Sequence, residues 1–122
     1  MKFAASKGEV ILYVSDMAAS VEYWSGKIGL ELVTPAPSSE SWAQEHWVVM
    51  SAGSFNLCLH PGGIYVAESP CSFSLVVEDL ANSLAEISAR GVVHSGILNP
   101  HPGVTFAELR DPDGHVFFIK PQ

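Results

Sequence analysis

Apolar and polar residues alternate at two places in this chain, and each alternation runs straight into a helical pattern. In Glu9-Val10-Ile11-Leu12-Tyr13-Val14 the aliphatic set Val10, Leu12 and Val14 takes every second position. This predicts a strand with those three toward the following helix and Glu9, Ile11 and Tyr13 on the opposite face. Met17, Val21, Trp24 and Ile28 then recur at spacings of four and three, the stripe of an amphipathic helix, and the pattern stops at Gly29. The same order returns further on. Phe73, Leu75 and Val77 alternate with Ser72, Ser74 and Val76, and Leu80, Leu84 and Ile87 form a second stripe that stops at Gly91. Asp16 and Asp79, Met17 and Leu80, Val21 and Leu84, and Trp24 and Ile87 are each 63 residues apart, and Gly29 and Gly91 are 62 apart.

The chain therefore reads as a tandem of two similar modules, about 8–61 and about 70–121, within a single domain of residues 1–122. Asp16 and Asp79 are placed to cap the two helices, because a short carboxylate accepts from the unpaired amides of a first turn. Gly29 and Gly91 suit the left-handed position just past a helix end. Three strands are expected after each helix: Leu30–Thr34, Gln44–Ser51 and Phe55–His60, then Val92–Leu98, Thr105–Arg110 and His115–Lys120. Ser51-Ala52-Gly53-Ser54 and Asp111-Pro112-Asp113-Gly114 close hairpins. Residues 35–41 and 99–103 read as loops, and His60 through Pro70 as the link. The expected fold class is α+β, tandem βαβββ modules forming a cleft between curved mixed sheets. Modules this small cannot each bury a substantial core, so they are expected to pack together.

Composition narrows the partners. With 48% hydrophobic residues in 122, there is apolar mass for one globular domain. No apolar run is long enough to span a bilayer and no signal peptide is recognisable at the N-terminus, so a cytoplasmic protein is expected, with no membrane partner. Thirteen acidic residues against six scattered basic ones give a net charge of −7, which argues against nucleic acid and would tolerate a cationic ligand. Cys58 and Cys71 lack the spacing of a zinc site and read as free thiols.

Val14-Ser15-Asp16-Met17, Ser20, Tyr23-Trp24, Gly29-Leu30 and Leu109-Arg110-Asp111-Pro112-Asp113-Gly114-His115, in that order within the repeat, resemble the vicinal oxygen chelate superfamily. That superfamily includes glyoxalase I enzymes, fosfomycin-resistance thiol transferases, extradiol dioxygenases and bleomycin-resistance binding proteins. The resemblance runs from Glu9 to Lys120 and implies a homodimer. It also implies where metal ligands would stand in the metal-using members: on the cleft side of the first and last strands of each module. Those positions in this chain are Glu9, the neighbourhood of Ser72, Phe118, and the set Asn56, Cys58 and His60. Glu9 is a competent oxygen ligand and His60 a nitrogen ligand, but Ser72 and Phe118 are poor replacements for a histidine and a carboxylate. No cofactor is predicted. A divalent metal, if any, would use Glu9 and His60.

The remaining candidates point to binding. His46, His60, His94, His101 and His115 share no metal-motif spacing, and His115, next to the turn glycine, reads as structural. Trp24 and Phe117 read as core, Tyr13 and Phe118 as cleft lining, and Trp42, Trp47 and Phe106 as rim, with a core place also open to Trp47. No serine or cysteine stands with an evident activating base. The expected ligand site is Glu9, Tyr13, Trp47, Cys58, Ser72 and Phe118, and its expected occupant is a small organic molecule, aromatic or cationic. The alternative is a metal-dependent glyoxalase-like lyase or dioxygenase using Glu9 and non-standard ligands.

Overall fold

A computed structural model describes residues 4–35, 41–62 and 72–122. The chain divides into two compact units, Met1–Tyr65 and Val66–Gln122. The first contains β1 (Glu9–Val14), α1 (Met17–Val21) continued by a π-helical stretch (Glu22–Ile28), β2 (Glu31–Thr34), a short 3₁₀ turn (Trp42–Gln44), β3 (Val48–Ser51) and β4 (Asn56–Pro61). The second contains β5 (Ser74–Val77), α2 (Leu80–Ala89), β6 (Leu98–His101), β7 (Val104–Arg110) and β8 (Val116–Pro121). Each forms a four-stranded mixed sheet, ordered β1-β4-β3-β2 in one and β5-β8-β7-β6 in the other. The repeat read from the sequence is thus a repeat of topology, with β1 parallel to β4 and β5 parallel to β8.

Local chemistry repeats with it. The Asp16 carboxylate accepts from the Ala19 amide at 3.1 Å, and the Asp79 carboxylate from the Asn82 amide at 3.0 Å. Gly29 and Gly91 have φ of 96° and 87°, values that an L side chain adopts only under strain. In the first unit Leu12 and Val14 are buried under the helix with Met17, Val21 and Trp24, while Ile11 and Tyr13 on the other face are exposed. In the second, Leu80, Leu84 and Ile87 cover Ala107, Leu109, Phe117 and Ile119. Phe73 stacks on Phe117 at 5.7 Å.

Three expectations change. The strand expected from Gln44 begins only at Val48, because Trp42–Gln44 coils into the 3₁₀ turn. The strand expected over Val92–Leu98 is reduced to one isolated bridge, His94 to Leu109, and the regular strand is Leu98–His101, which starts at its last residue and continues into the expected loop. Gly96 at φ 81° breaks the extended run, and the His94 ring holds the bend by bonding Ser88 Oγ at 2.7 Å and the Gly96 amide at 2.9 Å. The first helix also widens: Gly29 and Leu30 both donate to the Trp24 carbonyl, five and six residues back, and this wider turn buries Tyr23 together with Trp24. Cys71, and the residues expected to link the modules after Gly62, lie outside the described residues.

Candidate functional site

The parallel pairing of β1 with β4 sets Glu9 beside Asn56, Ile11 beside Cys58 and Tyr13 beside His60. Paired residues share a sheet face. Glu9, Tyr13, Cys58 and His60 therefore lie together on the face turned away from α1, and Trp47 joins them just before β3. The Tyr13 and His60 rings meet edge-on at 5.5 Å, and the Trp47 and His60 rings at 6.3 Å. Trp47 is 38% exposed and Tyr13 42% exposed, so neither is a core residue. The His60 Nδ1 stands 2.8 Å from the Pro61 carbonyl, which can only accept. Nδ1 therefore carries a hydrogen, and in the neutral ring Nε2 is left as an acceptor toward the face.

Further along the same face the Cys58 thiol donates to the Glu9 Oε2 at 3.2 Å. Burial pushes the Cys58 thiol up from 9.0 to about 11, helped by the hydrogen bond to Glu9 and by that residue's charge, against an opposing pull from Lys7. A thiol held neutral in the folded chain and ionising earlier in the unfolded chain contributes stability that is complete below pH 9. That contribution is lost as the pH rises from 9 toward 11. Replacing Cys58 by Ala should flatten stability over that window, and iodoacetamide should label Cys58 slowly at pH 8 and faster in Glu9→Gln. Equal alkaline slopes for the wild type and Cys58→Ala, read by urea titration, would refute the raised thiol pKa, and equal labelling rates in the wild type and Glu9→Gln would refute the pairing.

The second unit carries the other two expected residues. Ser72 donates its hydroxyl to the Val116 carbonyl at 2.6 Å, a bond that ties the segment leading into β5 to β8. Phe118 is half-buried on the face away from α2 and meets Phe106 edge-to-face at 5.3 Å, 84° apart. These two rings stand in a hollow of about 540 Å³ that also has Ser74, Asn99, Thr105 and Lys120 in its lining. Sequence reasoning set Phe106 at the rim and missed Lys120. The signal was available, since Lys120 is two residues beyond Phe118 on the same strand and shares its face.

Of the residues at the family's ligand positions, Glu9 and His60 carry groups able to bind a metal, and the others are poorer donors or already engaged. Phe118 offers a hydrocarbon, the Ser72 hydroxyl is committed to a carbonyl, and Glu9 already accepts from Cys58. Among the described residues, the group of three whose ligand atoms lie close enough for one ion is Asp111, Asp113 and His115. Here the Asp111 carboxylate serves the turn itself, accepting from the Asp113 amide at 3.0 Å, the His115 amide at 2.8 Å and His115 Nδ1 at 2.9 Å. His115 is the structural residue expected. The neighbouring Arg110 reaches the Gly114 carbonyl at 3.5 Å.

Among known proteins, the uncharacterized protein YetH of Bacillus subtilis (strain 168) is 26% identical over 117 residues, 93% of this chain and 95% of that protein. The antibiotic binding protein TnmS3 from Streptomyces sp. CB03234 superposes with a TM-score of 0.74 at 20% identity, over 100% of both chains. The lactoylglutathione lyase from Agrobacterium tumefaciens superposes with a TM-score of 0.72 at 18% identity, over 98% of this chain and 96% of that one. At such identities these two likenesses establish the fold. No described helix is long and apolar enough to cross a membrane. The family profile matches residues 8–119, and with the doubled topology it settles the membership: the chain belongs to the Glyoxalase/Bleomycin resistance protein/Dioxygenase superfamily.

Proposed function

We propose that this protein binds a small planar organic molecule, preferably a cation, on the Glu9 face of the first sheet, and does so without the metal chemistry of the enzyme branches. The observation that carries the reading is one sheet face that holds both a carboxylate and a ring cluster: Glu9, hydrogen-bonded by the Cys58 thiol, shares the face on which the His60 ring meets those of Tyr13 and Trp47. Rings offer stacking area worth about 0.5–1.5 kcal/mol per contact beyond the buried surface. A cation over an exposed ring adds about 0.5–1 kcal/mol. Because Glu9 is exposed, its charge pairing is screened and worth about 0.2–1 kcal/mol. That one structural neighbour is an antibiotic binding protein supports the reading of a small-molecule ligand.

Tryptophan fluorescence titration with matched cationic and neutral aromatic compounds tests this, since Trp47 borders the proposed site. The cation should bind several-fold more tightly, Glu9→Gln should erase the difference, and Tyr13→Ala should weaken both. Equal affinities in the wild type would sink the charge argument. About one equivalent of transition metal per chain, lost on Glu9→Ala, would instead favour the metal-dependent lyase or dioxygenase reading.

A further inference from the structure

We propose that the first unit carries a site for a primary organic ammonium with an apolar body, such as an arylalkylamine, in a groove on the helix side of its sheet built on Glu22, Ser25 and Trp42. Strand register fixes the side. Leu32 pairs with Met50, Met50 with Leu57 and Leu57 with Val10, a row on the face that α1 covers. Glu9 stands in the next row, with Asn56 and Ser51, on the opposite face of the same sheet. β2 is an edge strand of that sheet, and the 3₁₀ turn that opens with Trp42 packs against α1. The helix, the start of β2 and Trp42 thus border a groove of about 530 Å³, a volume in the range of small-molecule pockets. Its apolar part is Val21, Leu30, Leu32 and the half-buried Trp42 ring.

A missing side chain places the charge. Gly26 follows Glu22 by four residues within the π-helical stretch, and a Cβ on it would come within 2.9 Å of Glu22 Cδ and of both carboxylate oxygens. The Glu22 carboxylate therefore lies along the helix against Gly26, and both residues line the groove. A glycine inside a helix weakens it relative to alanine, and here its small size is what admits the carboxylate. Among the described residues no cation pairs with Glu22, the ion pair there being His115 with Asp111, and no lysine or arginine among them lines the groove. Glu31 also borders it, but its register with Ser51 turns its side chain to the Glu9 face, so the charge of the groove is that of Glu22. The Ser25 hydroxyl, three residues on and on the same side of the helix, adds a second acceptor. An ammonium, with three donors and no acceptor, matches a carboxylate and a hydroxyl, and the apolar body behind it would rest on the indole and the leucines. The net charge of −7 draws cations toward such a groove and repels anions.

Titration with 4-phenylbutylammonium and with 4-phenylbutanol, a neutral analogue of the same shape, tests the inference when followed by the indole N–H resonance of Trp42 in two-dimensional NMR. That resonance, assigned by its loss in Trp42→Phe, should shift with both compounds. The wild type should bind the ammonium about threefold more tightly, the gain of one exposed charge pair. That preference should shrink in high salt. Glu22→Gln should bring the two affinities together while that of the alcohol stays unchanged. Gly26→Ala should do the same in a helix that is not weakened, because its methyl takes the room the carboxylate occupies. Glu22 and Gly26 are exposed, so neither substitution disturbs the core. Glu9→Gln should leave the Trp42 response unaltered, which separates this groove from the site proposed on the opposite face and keeps the failure of one distinct from that of the other. A Trp42 resonance that neither compound moves, equal affinities in the wild type, or an ammonium preference that survives Glu22→Gln or Gly26→Ala overturns the proposal.

Discussion

Trp24→Ala should cost about 3–5 kcal/mol of unfolding free energy, the range for emptying a large aromatic site in a packed interior. Trp24 is fully buried, and its ring meets the Tyr23 ring edge-on at 5.2 Å. Its position is fixed from the backbone as well, since its carbonyl accepts the two amides that close the helix, Gly29 at 3.1 Å and Leu30 at 2.9 Å. With total stabilities of about 5–15 kcal/mol for domains in general, that loss is a third or more of what holds the fold. Urea unfolding would measure it. Trp24→Phe should recover most of the loss by refilling the centre of the cavity. A cost below about 1 kcal/mol for the alanine variant would mean that the first sheet does not rest on this residue.

The same helix shows why parts of the fold were legible in the sequence and others were not. The alternation of Glu9–Val14 was readable because one face of β1 meets a helix and the other does not, so burial and sequence share a period of two. Val48, Val49 and Met50 in β3 are all buried, which removes the alternation and left the register of that segment open. In β6 the reverse holds. Leu98, Asn99, Pro100 and His101 are all exposed on an edge strand, where Pro100 is tolerated because no partner needs its missing amide. Spacings of four and three marked Trp24 but not Tyr23, because the wide π turn buries a neighbour that a regular helix would turn outward.

For the candidate site, strand alternation was enough to bring Glu9, Tyr13, Cys58 and His60 to one face. It could not supply the contact of the Cys58 thiol with the Glu9 carboxylate, which spans 49 residues and depends on β1 and β4 pairing in parallel without a slip. Lys120 was passed over for a different reason. The metal positions of the family drew attention to Phe118 as a missing ligand, and a residue read for what it lacks conceals what its strand neighbour adds.

Asp111→Ala should destabilise the second unit by about 3 kcal/mol, because it removes a carboxylate on which three donors converge. The Asp111 side chain is fully buried, and without it the Asp113 and His115 amides and the His115 ring would each face a cavity. Asp111→Asn keeps an oxygen for the two amides but loses the charge beside His115, so an intermediate cost is expected. The consequence should reach the hollow, since the turn from Asp111 to Gly114 joins β7 to β8 and those strands carry Phe106, Phe118 and Lys120. Gly114, at φ 85°, donates to the Asp111 carbonyl at 2.9 Å, and Asp111 donates to the His115 carbonyl at 3.1 Å, so the backbone closes the hairpin while the carboxylate locks it. Amide hydrogen exchange should therefore speed up along β7 and β8 in Asp111→Ala while protection in β1 and β4 changes little. Unchanged exchange in that hairpin, or a stability loss below about 1 kcal/mol, would show that the turn holds its shape from the backbone alone.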